Sequence, residues 1–346
     1  AMSGGVDSSV AAYILTEKGY AASGITMKLF DFADECSDSL CCSTDDAADA
    51  ENVAKQLDIP FYIANLKDEF VSRVITPFVN SYLNGQTPNP CIECNRHLKF
   101  DKLFKKADDL NIKYLATGHY ADIEFSNGKY LLKKSKNLQK DQSYVLYSLN
   151  QQKLSRLIFP LGSLSKEEVR EIAKKCGFFN YNKPDSQDIC FIKNGDYVDF
   201  ISHFLGVNFS KGKFLNSDGK VIGEHNGMIY YTIGQRRGLG TGFGERIYVT
   251  SKNATDNTVT LGKDEDLFKK SFIVKNANFI PFDILSSPLK LSAKIRYRMV
   301  EQPATVFPES ANSVRVEFDF PQRAISPGQS AVFYDGEYVV GGGEIV

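Results

Sequence analysis

Hydrophobic positions change rhythm part-way along the chain. In the first half, apolar residues recur mostly at helical spacing, in stretches separated by short apolar runs. A helix is expected over 8–18, followed by an apolar strand at 22–29. Ala47, Ala50, Val53, Ala54 and Leu57 share one face of a helix that starts near Ser43 or Thr44. FYIANL (61–66) reads as a short buried strand, and 68–83 as a helix. A further helix over 96–110 presents Leu98, Leu103, Phe104, Ala107 and Leu110, and KYLAT (113–117) is a strand. Helices and strands alternating in this order build an α/β parallel sheet wrapped by helices. Ligands of such sheets lie beyond the carboxyl ends of the strands, which points Gly118, His119 and Tyr120 into the cleft. Ser165 with Glu168 makes a capping box for a helix reaching Lys175.

After about residue 205 the period becomes two. KVIGEH, GMIYYTIG, RIYVTS, TVTLG, FIVKNANFI, KLSAKIRYRMV, SVRVEFDF, QSAVFYDG and EYVVGGGEIV follow one another, with turns such as SDGK and YDGE. The expected organisation is an α/β domain over 1–204, a small β-rich central domain over 205–267 and a C-terminal antiparallel β-barrel over 268–346. A length of 346 residues agrees, being too long for one small core.

Composition adds limits. The chain is 42% hydrophobic and 24% charged, and no apolar stretch is long enough to span a bilayer, so no membrane partner is expected. No targeting signal is visible, but the sequence opens inside a motif, with the strand that should feed it missing, so the question of a leader stays open. A net charge of −1 argues against indiscriminate coating of nucleic acid. It leaves room for local basic faces, from Lys99, Lys102, Lys105 and Lys106 and from Lys133, Lys134, Lys136 and Lys140. Seven cysteines, unevenly placed, suggest a reducing cytoplasm where thiols do chemistry or bind metal.

The chemistry is concentrated in a few strings. In SGGVDSS (3–9) two glycines let the backbone approach an anion, and the start of the following helix faces it. The lysine of a kinase-type phosphate loop is absent. Asp7 and the hydroxyls of Ser3, Ser8 and Ser9 suit a pyrophosphate with magnesium instead. In TPNPCIECN (87–95) Cys91 and Cys94 stand one turn apart after Pro90, where a helix start would lower both thiol pKa values; half of a structural zinc site is the plainer alternative. In PDSQDICF (184–191) Cys190 ends a polar loop whose Pro184 and Asp185 call for irregular backbone. Cys36, Cys41 and Cys42 are extra cleft thiols or ordinary loop residues, and Cys176 is a core thiol at a helix end.

SGGVDSS, GITMK, TPNPCIECN, TGHYA, KDQSY, SQDICF, YTIGQRRGL, KIRYR, SPGQ and AVFY…GGGEIV together resemble the tRNA-specific 2-thiouridylases, the MnmA/TrmU family of the ATP-pyrophosphatase (PP-loop) superfamily. The resemblance runs over essentially the whole chain. It implies a PP-loop adenylating domain, a small central domain and a barrel that grips tRNA, and a reaction that replaces the 2-oxygen of a wobble uridine with sulfur. Carried over by position, Ala1, Met2, Ser3, Gly4, Gly5, Val6, Asp7, Ser8, Met27 and Gly118 would bind ATP. Asn89, Pro90 and Cys91 would surround the target base, and His119, Lys140, Asp141, Gln142, Arg296, Tyr297 and Gln329 would touch tRNA. Cys94 would be the nucleophile and Cys190 the persulfide carrier, charged by a donor such as a cysteine desulfurase or sulfur carrier. Attaching AMP to the uracil oxygen makes it a good leaving group. Sulfur transfer then leaves a Cys94–Cys190 disulfide for a reductant to open.

One departure stands out. Much of the family has Asp where Cys91 stands, so Cys91 is either a stand-in base or resolving thiol, or one of three ligands, with Cys94 and Cys190, of a 4Fe-4S cluster. An amide-forming ATP pyrophosphatase and an RNA-binding protein with a regulatory nucleotide site are the rival readings.

Overall fold

A computed structural model describes residues 1–30, 44–185, 188–192, 195–240 and 246–346. Cys36, Cys41 and Cys42, and Ser186 and Gln187 of the PDSQDICF string, lie outside them.

Strands Gly24–Lys28 and Phe61–Asn65 pair in parallel, Gly24 opposite Phe61. Leu115–Ala116 and Leu157–Ile158 form a second parallel pair. The first residues of the chain join the two: Met2 N donates to Ile25 O at 2.7 Å, and the nitrogen of Ala1 donates to Ala116 O at 2.6 Å. Across the layer the order is therefore 61–65, 24–28, 1–2, 115–116, 157–158. The chain order reverses at 1–2, which puts the opening loop at the switch point where open α/β sheets bind ligands. A cavity of about 420 Å³ flanks this start, lined by Ala11, Ala12 and Leu15 of the first helix and by Leu103, Ala107 and Leu110 opposite.

That first helix, Val6–Glu17, buries Val6, Val10, Ala11 and Ala12 against Ala50, Val53 and Ala54 of Thr44–Gln56 and against Val169 and Ala173 of Lys166–Lys175. The expected capping box is present: Ser165 Oγ accepts from Glu168 N at 3.1 Å while Ser165 N donates to the Glu168 carboxylate at 2.7 Å. Two longer helical runs, 67–83 and 90–109, cover the other side, and each contains a π-wound stretch, Val71–Ile75 and Cys94–Lys102. Such wide turns are rare and cluster at functional sites.

The barrel is closed. Its six antiparallel strands run in the order Phe268–Phe279, Ser313–Arg323, Gln302–Ser310, Leu289–Lys294, Ser330–Asp335, Tyr338–Ile345, and the last pairs back to the first. Alternate residues such as Val274, Ala293, Val306, Val316, Phe318 and Phe333 fill the interior. The central domain is a four-stranded sheet around Phe214, Met228, Tyr231, Val249 and Val259.

Three expectations need revision. GMIYYTIG is not a strand: Gly227 has φ 138°, and Met228–Tyr230 is a 3₁₀ turn that sends Met228, followed by Tyr231, into the central core while Ile229 packs in the first-domain cluster. KLSAKIRYRMV leaves the sheet after Lys294, so Arg296 and Tyr297 lie beyond the strand. A hairpin unforeseen in the first half, Ala121–Ser126 with Lys129–Lys134, turns at Asn127 and Gly128, both with positive φ, and adds to the barrel through Tyr338 and Val339. The hairpin also accounts for the expected second basic face. Lys133 bridges Glu124 and Glu337, Lys134 bonds Glu301 and Lys140 bonds Asp185, so these ammonium groups bind the hairpin and its neighbours to one another.

Candidate functional site

The loop at the switch point is held from several sides. Gly5 caps the first helix without a side-chain bond, leaving the first helical amides for a ligand. Ser8 Oγ donates to Gly5 O at 2.9 Å and accepts from Ser3 N at 3.1 Å, and Ser9 Oγ donates to Gly5 O at 3.1 Å. Gly118 closes the floor: a Cβ there would lie 2.9 Å from Asp7 C and Ser8 N, so only glycine allows this approach. Met27 lies near the carboxyl end of its strand, opposite Ala64. Asn180, which the sequence reading missed, is buried and donates to Gly4 O and to Ser9 Oγ, both at 2.9 Å.

The cation missing from the loop arrives from 159 residues away. Lys166, the first residue of its helix and only 5% exposed, lies 2.8 Å from both oxygens of Asp7, and Tyr120 Oη donates to Asp7 Oδ1 at 2.8 Å. Lys166 also reaches Asp185 Oδ1 at 2.7 Å, while Lys140 takes Asp185 Oδ2 at 2.7 Å. Burial alone would raise the Asp185 carboxyl, but these two ammonium groups outweigh it and hold it at about 2. No sequence motif announced Lys166, although its place after the Ser165 cap, at the start of a helix, was legible.

Cys91, Cys94 and Cys190 come close to one another in space. Cys94 and Cys190 are half-buried against one hydrophobic cluster that includes Ile92 and Phe191, and Cys91 opens to solvent. Cys190 acts electrostatically on both Cys91 and Cys94, Cys91 on Cys94, and Lys99 on both Cys91 and Cys94. Asn89 caps the short helix Pro90–Glu93, accepting from Cys91 N at 3.2 Å, and Pro90 is buried. The expectation of lowered thiol pKa values is overturned. Desolvation pushes Cys94 up to about 12, with Cys190 and Cys91 adding to the rise and Lys99 opposing it, and Cys91 is raised too by the protein packed around its sulfur and by Cys190, although part of the residue meets solvent. None of the four described cysteines is in a disulfide. Among the described residues no three His, Cys, Asp or Glu side chains are gathered to hold a single metal ion.

The residues carried over to RNA contact are mostly engaged within the protein. His119 is buried, its Nδ1 2.7 Å from Thr117 Oγ1, and burial with nearby Lys99 holds the imidazole neutral. The Asp141 carboxylate accepts from Ser135 N and Ser143 Oγ, and Gln142 Oε1 accepts from Tyr120 N. Arg296 donates to Ala324 O, and Tyr297 Oη donates to Asp141 O at 3.0 Å. Gln329 Nε2 donates to Thr87 O at 2.7 Å. These contacts bind barrel, KDQ segment and cysteine loop into one wall of the cleft.

Comparison with known proteins bears on the whole chain. Residues 1–194 match a family model described as a tRNA methyl transferase HUP domain, 198–263 a tRNA methyl transferase PRC-barrel domain and 269–345 an aminomethyltransferase beta-barrel domain. Proteins named tRNA-specific 2-thiouridylase MnmA align along almost their full length. That of Clostridioides difficile is 49% identical over 99% of this chain and 96% of its own, and that of Clostridium acetobutylicum 48% identical over 99% and 98%. That of Acetivibrio thermocellus is 47% identical over 99% and 97%. No helix among the described residues is long and apolar enough to cross a membrane.

Proposed function

Because the chain belongs to the tRNA-specific 2-thiouridylase family, sulfurtransferases that thiolate a tRNA uridine, we propose that it adenylates the C2 oxygen of the wobble uridine with ATP and replaces that oxygen with sulfur carried on Cys190. The observation that carries this reading is that Cys94 and Cys190 pack on the same hydrophobic cluster as Ala1 and Met27 of the nucleotide site and are close enough for Cys190 to act electrostatically on Cys94.

The steps follow from the groups present. The loop amides and the Lys166 ammonium receive the phosphates, with Asp7 keeping Lys166 in place. The uridine O2 attacks the α-phosphorus, the bond to pyrophosphate breaks, and C2 now bears AMP as leaving group. A persulfide on Cys190 presents its outer sulfur to C2, and AMP departs with the former oxygen. Cys94 then attacks the inner sulfur of Cys190: the Cys94–Cys190 bond forms, the sulfur–sulfur bond to the base breaks, and the base keeps its sulfur as 2-thiouridine. A reductant reopens the disulfide. In the free protein Cys94 is protonated, so its attack needs a base; Lys99 is the charge that favours its thiolate. Cys91, beside Asn89 and Pro90, borders the space for the base, and closing that space keeps water from the adenylate. No step is routed through magnesium or an iron–sulfur cluster.

The tRNA partner, contacted through Lys140, Tyr297 and the barrel, and a cytoplasmic place of work belong to the same proposal, as does an external persulfide donor. Single turnover with ATP, tRNA and a persulfide donor, followed by non-reducing peptide mass spectrometry, is expected to trap a Cys94–Cys190 disulfide only when ATP is present. A disulfide that forms equally without ATP contradicts the sequence of steps.

A further inference from the structure

We infer that Lys99 is a further catalytic residue, whose ammonium holds the α-phosphate that joins the nucleotide to the target uridine. The inference rests on the proposed adenylation of that uridine and deepens it.

Arg96, His97, Lys99 and Lys102 are the basic side chains of the π-wound stretch Cys94–Lys102, and all but Lys99 face a carboxylate. Arg96 pairs with Glu93 at 3.3 Å, His97 Nε2 lies 3.2 Å from the same carboxylate, and Lys102 reaches Glu69 at 2.8 Å. Among the described residues Lys99 has no such partner. The sequence groups it with Lys102, Lys105 and Lys106 as one basic face, yet Lys105 and Lys106 are exposed while Lys99 is half-buried between Leu98 and Phe100, both fully buried. The winding turns it inward. At about 3.6 residues per turn an α-helix would carry Lys99 about 140° round from Cys94. Here Leu103 N donates to Leu98 O, five residues back, so positions five apart return to one face and Lys99 follows Cys94. Phe100, next in sequence, has its ring 5.9 Å from that of buried His119, the neighbour of Gly118. Ala1, Met27, Cys94 and Cys190 pack on the cluster that contains Leu98 and Phe100. In keeping with that placement, Lys99 acts electrostatically on Cys91, Cys94, His119 and the nitrogen of Ala1. The two thiols do not neutralise it, because burial keeps them protonated. An uncompensated positive charge therefore stands between the start of the nucleotide loop and the thiols, where an adenylated base must lie to meet both.

In the proposed reaction the loop amides and Lys166 receive the pyrophosphate, which leaves the α-phosphate to another cation. As sulfur bonds to C2, the C2–O bond breaks and its electron pair stays on the oxygen, so the phosphate gains a second negative charge as AMP leaves. A fixed ammonium beside it favours that doubly charged product over the singly charged adenylate.

The test is Lys99→Met and Lys99→Gln, two neutral replacements of similar length, read beside Lys99→Arg, which keeps the charge. Without tRNA, both neutral variants are expected to bind AMP roughly tenfold more weakly, the scale of one charge-assisted hydrogen bond. Pyrophosphate, which the loop and Lys166 hold, should bind within about twofold of wild type. At saturating tRNA, thiolation should fall roughly a hundredfold, as for loss of one oxyanion donor, with tRNA affinity and melting temperature near wild type and AMP affinity largely recovered in Lys99→Arg. Unchanged AMP binding in the neutral variants overturns the inference, and so does an equal loss of AMP and pyrophosphate or a general loss of melting temperature. Weakened tRNA affinity with normal turnover at saturation makes Lys99 an RNA-backbone contact and overturns it too. A wild-type protein that binds AMP through Lys99 but never thiolates tRNA defeats the proposed function instead.

Discussion

Gly118→Ala puts the geometry of the phosphate site to a quantitative test. The added methyl would sit 2.9 Å from Asp7 C and Ser8 N and 3.1 Å from Asp7 O, all backbone atoms, where ordinary contact begins at 3.4 Å. Either the loop or the 117–119 turn must therefore retreat by about half an ångström. The loop is pinned behind by Asn180 at Gly4 and Ser9, and by the close approach of Gly4 to the Asp46 backbone, so strain is not relieved freely. Overpacking of this kind costs about 1–3 kcal/mol of stability. A displacement of about 0.5 Å where full 1 Å misplacements cost about a hundredfold implies roughly a tenfold loss of rate. The assay is tRNA-dependent release of pyrophosphate from ATP, with tRNA affinity measured in parallel. The expected result is release slowed about tenfold with tRNA affinity unchanged. Wild-type release with wild-type stability would refute the claim that Gly118 closes the floor of the nucleotide site.

Other outcomes follow from the same contacts. Asn180→Ala removes the donors to Gly4 O and Ser9 Oγ, and should cost about 1–3 kcal/mol in denaturant unfolding and slow pyrophosphate release; unchanged release would place Asn180 outside the loop's support. Burial raises the Cys94 thiol from 9.0 to about 12, so its alkylation should still be climbing above pH 9, and a plateau below pH 8 would contradict that burial. The folded protein holds this proton more tightly than the unfolded chain, so the same group lowers stability as pH rises from 9 towards 12. Asp185 competes with any phosphate for Lys140, so Asp185→Asn is expected to tighten tRNA binding severalfold at low salt; weaker binding in a normally folded variant would remove Lys140 from the RNA face.

Much of the architecture was legible because its signals are local. The Ser165 capping box, the period-two run of the barrel and the apolar strand FYIAN each appear where the side-chain pattern puts them. Gly118 and the opening loop were placed together by the sheet rule alone, and they touch. The hairpin at Asn127–Gly128 carried an equally local signal but sat in a segment read for its lysines. MIYY imitates a strand because buried apolar residues look alike in a 3₁₀ plug and in a sheet. What sequence did not carry is pairing at long range. Lys166 with Asp7, Asn180 with Gly4 and Gln329 with Thr87 join residues 159, 176 and 242 positions apart, and no periodicity encodes such partners. The thiol pKa values were misjudged for a related reason: a helix start is visible in sequence, whereas the protein packed around it is not.

The measurement that tests the central claim most directly is nucleoside mass spectrometry of a defined tRNA after incubation with the purified protein, ATP, a persulfide donor and a reductant. The account predicts 2-thiouridine at the wobble position, dependent on ATP, with pyrophosphate released in step, and its loss in both Cys94→Ser and Cys190→Ser. Thiolation that persists in Cys190→Ser, or that proceeds without ATP, would contradict the account.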